Sequence, residues 1–205
     1  MGLWDTILGR TKETKAKLDA LFMVPSAAIT LQTAAGLTPT GSGSVCFRGA
    51  TGPAFAQTQG DIVTLLNDNP DAPDVEVTQD SFGFTWLVVQ RDPQDTAGLC
   101  TDLHAVNTIL EEQGFGSGLL CSLVAFADTT GRRAGLVYLY KQGTFYPFAP
   151  AAGAGNGAAG AFGGGGAGQQ RDNLLEIQIR DQLAAELPME KELSRWLAVW
   201  GAPGL

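Results

Sequence analysis

Three strand-like runs in close succession limit the folds open to this chain more than any other feature. Residues 119–127 (LLCSLVAFA) are continuously apolar, and 136–141 (LVYLYK) and 144–148 (TFYPF) follow at short intervals. The connectors 128–133 (DTTGRR) and Gln142-Gly143 carry turn chemistry. Connections this short suit strands that run back beside their neighbour, so this part of the chain reads as an antiparallel meander. Pro147 has no amide proton to give to a ladder, which assigns the third strand to an edge.

Further strands lie upstream. Phe82, Phe84, Trp86 and Val88 alternate with Gly83, Thr85, Leu87 and Val89. The second half of this run is apolar on both sides, which suits an interior strand. Residues 44–48 (SVCFR) read as a strand with Val45 and Phe47 on one side and Cys46 on the other, and 75–78 begin another. Helical periods fall between them. Phe55, Gln59, Ile62, Val63 and Leu66 share one face, with Pro53 in the first turn, and 67–74 (NDNPDAPD) is a turn. Asp92 and Pro93 open a second helix whose buried stripe is Leu99, Leu103, Val106 and Leu110, with Gly114 as its stop.

At the N-terminus, 3–22 reads as an amphipathic helix weakened at Gly9. Leu3, Trp4, Ile7 and Leu8 share a face, the basic Arg10, Lys12, Lys15 and Lys17 follow, and Leu18, Leu21 and Phe22 resume the apolar side. Pro25 is expected to end that helix, 28–32 to form a short strand, and 34–44 to be a loop. Near the C-terminus, Asp172 caps a helix with Leu175, Ile179 and Leu183 on one face, and Pro188 breaks it. The expected fold class is α+β, a single mostly antiparallel sheet with helices packed mainly on one face. The chain divides into an N-terminal amphipathic helix (1–24), an α+β domain (25–150), a flexible Gly/Ala-rich insert (151–170), and a C-terminal helix with a Trp-rich tail packed on the domain (171–205).

Composition excludes several functions. The 205 residues carry a formal net charge of −8, which argues against binding nucleic acid through counterion release. No apolar run in the sequence reaches the ~18 residues of a spanning helix, and no secretory leader is evident. A cytoplasmic location is expected, with peripheral contact at the inner face of the cell membrane open to the N-terminal helix. Cys46, Cys100, Cys121 and His104 are too few and too scattered for structural zinc. No metal and no cofactor is expected. The GNGAAG run at 155–160 matches a dinucleotide fingerprint only in letters, because glycine rather than a helix follows it.

Cys100 and His104, one helical turn apart, are the only pair from which a nucleophile and base could be built; Asp95 and Asp102 flank them. A Cys/His enzyme is therefore one alternative, but a bare pair of this kind more often packs or faces solvent. No catalytic residue is assigned. Two surfaces remain for partner or membrane binding. Leu3, Trp4, Ile7 and Leu8 would suit a membrane surface or a partner's groove, and equally the chain's own core. Trp196 and Trp200, with Arg195 beside them, have the residue types favoured at interfaces, or fold back onto the sheet.

The wording of the chain resembles one family along nearly all of its length. MGLWDTILGRTK, LDALFMVPSAAITLQ, GSVCFR (43–48), DLHAVNTILEEQGFG (102–116), LVYLYKQGTFYPFAP (136–150), RDNLLEIQIRD (171–181) and LSRWLAVWGAPGL (193–205) are similar to the PspA-associated protein PspAB family, known mainly from actinobacteria. The resemblance implies a non-catalytic binding or adaptor role in a phage-shock-type envelope-stress response. Its implied partners are PspA, a coiled-coil scaffold that coats stressed membranes, or a membrane protease of the HtpX type. It supplies no catalytic residues. The α+β layout also suits a type III secretion chaperone-like binding domain, which dimerisation would favour.

Overall fold

The computed structural model describes residues 18–48, 57, 60, 63–64, 67–68, 75–80, 83–112, 114–151 and 169–205. Six strands form one open sheet: β1 (Thr38–Arg48), β2 (Val75–Gln79), β3 (Phe84–Gln90), β4 (Leu119–Ala127), β5 (Arg133–Leu139) and β6 (Thr144–Phe148). Their order is β2-β3-β1-β4-β5-β6, and every neighbouring pair is antiparallel. The helices α1 (Val24–Ala35), α2 (Thr96–Glu112) and α3 (Asn173–Leu183) bury their apolar stripes in one core with the sheet. Between β1 and β2, Gln57, Gly60, Val63, Thr64 and Asn67 are also helical. The architecture is the expected α+β one.

The helix-side core is built from regular periods. Val45 and Phe47 of β1 and Leu87 and Val89 of β3 meet Leu99, Leu103, Val106 and Leu110 of α2, all of them buried. Cys46 lies on the other side of β1, as the strand period requires. Gly43 brings α2 close. A Cβ there would stand 3.0 Å from Leu103 Cδ1 and 3.1 Å from Leu99 Cδ1. Arg91, one residue past β3, clamps the same helix through two hydrogen bonds to the buried Asp102 carboxylate, at 2.6 and 3.0 Å.

The opposite face is covered mainly by the C-terminal segment, with Ile177 of α3 packed at its margin. Cys46, Trp86, Cys121, Val137, Tyr146 and Phe148 lie there, beneath Trp196, Val199, Trp200 and Leu205 of the C-terminal segment. The Tyr146 and Trp196 rings stack with centroids 6.1 Å apart, and Trp200 meets Phe148 edge-on at 4.9 Å. Gly135 leaves room for Leu205, whose Cδ1 would lie 3.0 Å from a Cβ at that position.

Three expectations fail in the first third of the chain, each for a local reason. Pro25 begins a helix instead of ending one, because it falls in the first turn of α1, where its missing amide proton costs nothing. The expected strand at 28–32 is therefore helical, and Val24, Ala27, Ala28 and Leu31 form its buried face. The expected loop at 34–44 holds the first half of β1, which starts at Thr38. β1 runs from Pro39 to Gly43 while β4 runs only from Phe126 to Val124, so the strand bulges there. Gly41 adopts φ +81° in the bulge, where a side chain would strike the Arg91 carbonyl.

Caps and ends differ in smaller ways. Asp92 organises only a turn, accepting from the Gln94 amide, and α2 begins three residues later, where the Asp95 carboxylate accepts from the Gly98 amide at 2.8 Å. Asp172 caps α3 as expected, its side chain accepting from the Leu175 amide at 3.0 Å. The readings at 1–17, most of 53–66, 69–74 and 152–168, including the GNGAAG run, lie outside the described residues.

Candidate functional site: an apolar surface on the first helix

Residues 18–35 run as a 3-10 turn (Leu18–Met23) that continues into α1. Contrary to the expectation that no apolar run reaches spanning length, this stretch of 18 residues has mean hydropathy 1.3 and is long and apolar enough, by length and composition alone, to cross a bilayer, because the helix runs on through Pro25. Here its inward side, Leu18, Leu21, Val24, Ala27, Ala28 and Leu31, is part of the helix-side core. Its outward side is unusual. Phe22 is 48%, Met23 42% and Ile29 65% exposed. Isolated exposed apolar side chains are ordinary, but a group of them on one element marks a contact surface.

The surface adjoins a groove. Pro25, Ala28 and Ile29 of α1 face Pro39 of β1 and Pro93 and Ala97 at the start of α2 around a space of about 430 Å³. Three prolines hold this rim in fixed backbone conformations, so a partner docking here would order little of it. At the other end, the Phe22 ring lies 5.0 Å from the His104 ring, and His104 Nε2 is 3.9 Å from Asp19. The sequence reading placed Phe22 with Leu18 and Leu21 on one apolar side. The tight 3-10 turn separates them, burying the leucines and exposing the ring. Reading 28–32 as a strand hides Ile29 as a helix-surface residue. Pro25 set among apolar residues at 24, 27, 28 and 31 is the signal for a helix with Ile29 outside.

Of the residues expected at a contact surface, Leu3, Trp4, Ile7 and Leu8 lie outside the described residues. Trp196 and Trp200 are only 6% and 8% exposed and lie against the sheet. Trp196 Nε1 donates to the Glu190 carbonyl at 3.1 Å. Arg195 is half-exposed and reaches the Glu190 carboxylate at 3.5 Å. The structure thus places Trp196 and Trp200 in the covered face of the sheet and leaves Arg195 at the surface.

A family model described as PspA associated protein B matches residues 1–204. The chain belongs to that family. No curated protein and no solved structure matches it. Within this PspAB chain, Cys100 and His104 do not share an open site. Cys100 is fully buried in the helix-side core, and burial, with the Asp102 charge, pushes its thiol up to about 12. The nucleophile would have to be a thiolate. His104 instead turns to Phe22 and Asp19, and Thr108 Oγ1 lies 3.5 Å from its Nδ1. Among the described residues no three His, Cys, Asp or Glu side chains gather as a metal site.

Proposed function

We propose that this PspAB-family protein is a non-catalytic adaptor that binds PspA through the outward side of its first helix, within a phage-shock-type membrane stress response. The observation that carries the reading is the exposed trio Phe22, Met23 and Ile29 beside a proline-rimmed groove, in a chain of a family described as PspA associated. An apolar helix face against a groove is a common way for a folded protein to receive a partner's helix. The acidic chain would act in the cytoplasm and meet the inner membrane face by way of PspA.

Purified PspA titrated against the full chain tests this. Ile29→Glu places a charge at a site that is open in the free protein and dry in the complex, so affinity should fall at least ~10-fold with the melting temperature unchanged. Absence of PspA binding, or unaltered affinity in Ile29→Glu, would refute the reading. Co-flotation of the chain with vesicles lacking PspA, abolished by Ile29→Glu, would instead give this surface to lipid.

A further inference from the structure

Cys46 and Cys121 are 75 positions apart in sequence, yet they are direct partners across β1 and β4. Residues opposed in this way on antiparallel strands have Cα atoms ~4.5–5.5 Å apart, inside the ~4.4–6.8 Å that a disulfide spans. Both side chains point to the tail-covered face and belong to its apolar cluster, and both are free thiols. The third cysteine, Cys100, lies across the sheet in the helix-side core.

The cover over the pair is stacked and local. The Tyr146 ring, near both thiols, stacks on Trp196, and the Tyr146 hydroxyl donates to the Leu197 carbonyl at 3.0 Å. The covering segment 192–205 contains no helix beyond a single 3-10 turn (Leu193–Arg195) and no strand. Segments held by side chains rather than by a backbone ladder open more readily than the fold as a whole. While the segment is docked, burial and the neighbouring Cys121 thiol push the Cys46 thiol far above its ordinary value, which keeps it unreactive.

We propose that Cys46 and Cys121 form a closable dithiol, oxidised to a cross-strand disulfide by a low-molecular-weight disulfide when the C-terminal segment lifts. One cysteine, as its thiolate, attacks a sulfur of the small disulfide and expels a small thiolate, which takes up the proton. The second cysteine then attacks the mixed disulfide at the protein sulfur and expels the second small thiolate, which takes up the other proton. Two protein thiols are oxidised to one disulfide and one small disulfide is reduced to two small thiols. The bond would tie β1 to β4 beneath the tail, so the redox state and the docking of 192–205 depend on each other.

The test incubates the full chain with oxidised glutathione under native conditions, quenches with acid, unfolds, alkylates and maps peptides by mass. The expected product is a Cys46–Cys121 linked peptide two hydrogens lighter, with Cys100 alkylated. Cys100→Ser should keep the product and Cys121→Ser should lose it. Trp196→Ala, which loosens the cover, should raise the rate about tenfold. Three alkylated cysteines after prolonged exposure, or a bond involving Cys100, would overturn the dithiol. Equal rates in the parent and in Trp196→Ala would overturn the gating.

Discussion

The two faces of the sheet are covered by different means. On one, α1, α2 and α3 lay periodic apolar stripes over β1, β3, β4 and β5, and each helix satisfies its own backbone. On the other, the irregular segment 192–205 is held at separate points. Arg171 Nη1 donates to the Trp196 carbonyl at 2.7 Å, Tyr146 donates to the Leu197 carbonyl, Trp196 stacks on Tyr146, and Trp200 meets Phe148 edge-on. Both covers exclude water from the sheet. A helix, however, comes off only with its whole hydrogen-bonded length, whereas a segment pinned at points can detach with the sheet intact. The helix side is thus the part that defines the fold, and the tail side is a removable layer.

Substitutions can break that comparison. Leu103→Ala should have the largest effect, ~2–5 kcal/mol, seen as a lower urea midpoint for the whole molecule. Trp200→Ala removes a larger side chain yet should cost less in global unfolding, because its loss cannot exceed the free energy of docking the tail. Hydrogen exchange should show the difference, with amides of 196–205 losing protection while those of α2 keep it. A global loss equal to that of Leu103→Ala would mean that the two covers are one cooperative unit. Alanine at two buried glycines sharpens the contrast. Gly43→Ala presses on Leu99 and Leu103 and on the Leu123 carbonyl at 3.3 Å, and should cost ~1–3 kcal/mol. Gly135→Ala has side-chain atoms of Leu123 and Leu205 rather than backbone as its nearest neighbours and should stay within ~1 kcal/mol of the parent.

The smallest expected effect is on pH dependence. Burial raises the Glu190 carboxyl, but the Glu192 amide, Thr144 and Arg195 outweigh it, so Glu190 sits below its usual value. Its contribution is therefore complete above the unfolded value, ~4.3, and is lost as pH falls through the lower folded value. Glu176 of α3 is displaced the other way, because burial exceeds the help from Arg171 and the Ala149 amide. Protonation favours its folded form, so its contribution is present below the unfolded value and is lost as pH rises through the higher folded value. Glu190→Gln should flatten the acid limb of a melting-temperature profile, and Glu176→Gln should steepen it. Parallel profiles would remove the distinction between these two anchoring carboxylates.

The fold was legible where a period ran undisturbed. The meander of β4, β5 and β6, the interior β3 and the stripe of α2 follow from alternation and helical spacing alone. It was illegible where one residue type serves two purposes. Pro25 both stops and starts helices, and only the apolar spacing after it decides. Pro39, Gly41 and Gly43 have the composition of a loop, but in β1 they make a bulge and a close helix approach. The candidate surface was hidden by the same error, since Ile29 turns outward only once 24–35 is helical. The Cys46–Cys121 pairing depends on the register of two strands brought together by tertiary structure, which no local pattern encodes.

The chain after α3 also runs along β6. The Phe145 amide donates to the Pro188 carbonyl at 2.9 Å, and the Glu190 amide donates to the Phe145 carbonyl at 2.7 Å. Pro147 offers no amide of its own. That rim of the sheet is consequently sealed to any incoming strand. A ribbon that grows by strand addition needs two open rims on every copy, so molecules of this fold that met rim to rim would stop at a pair.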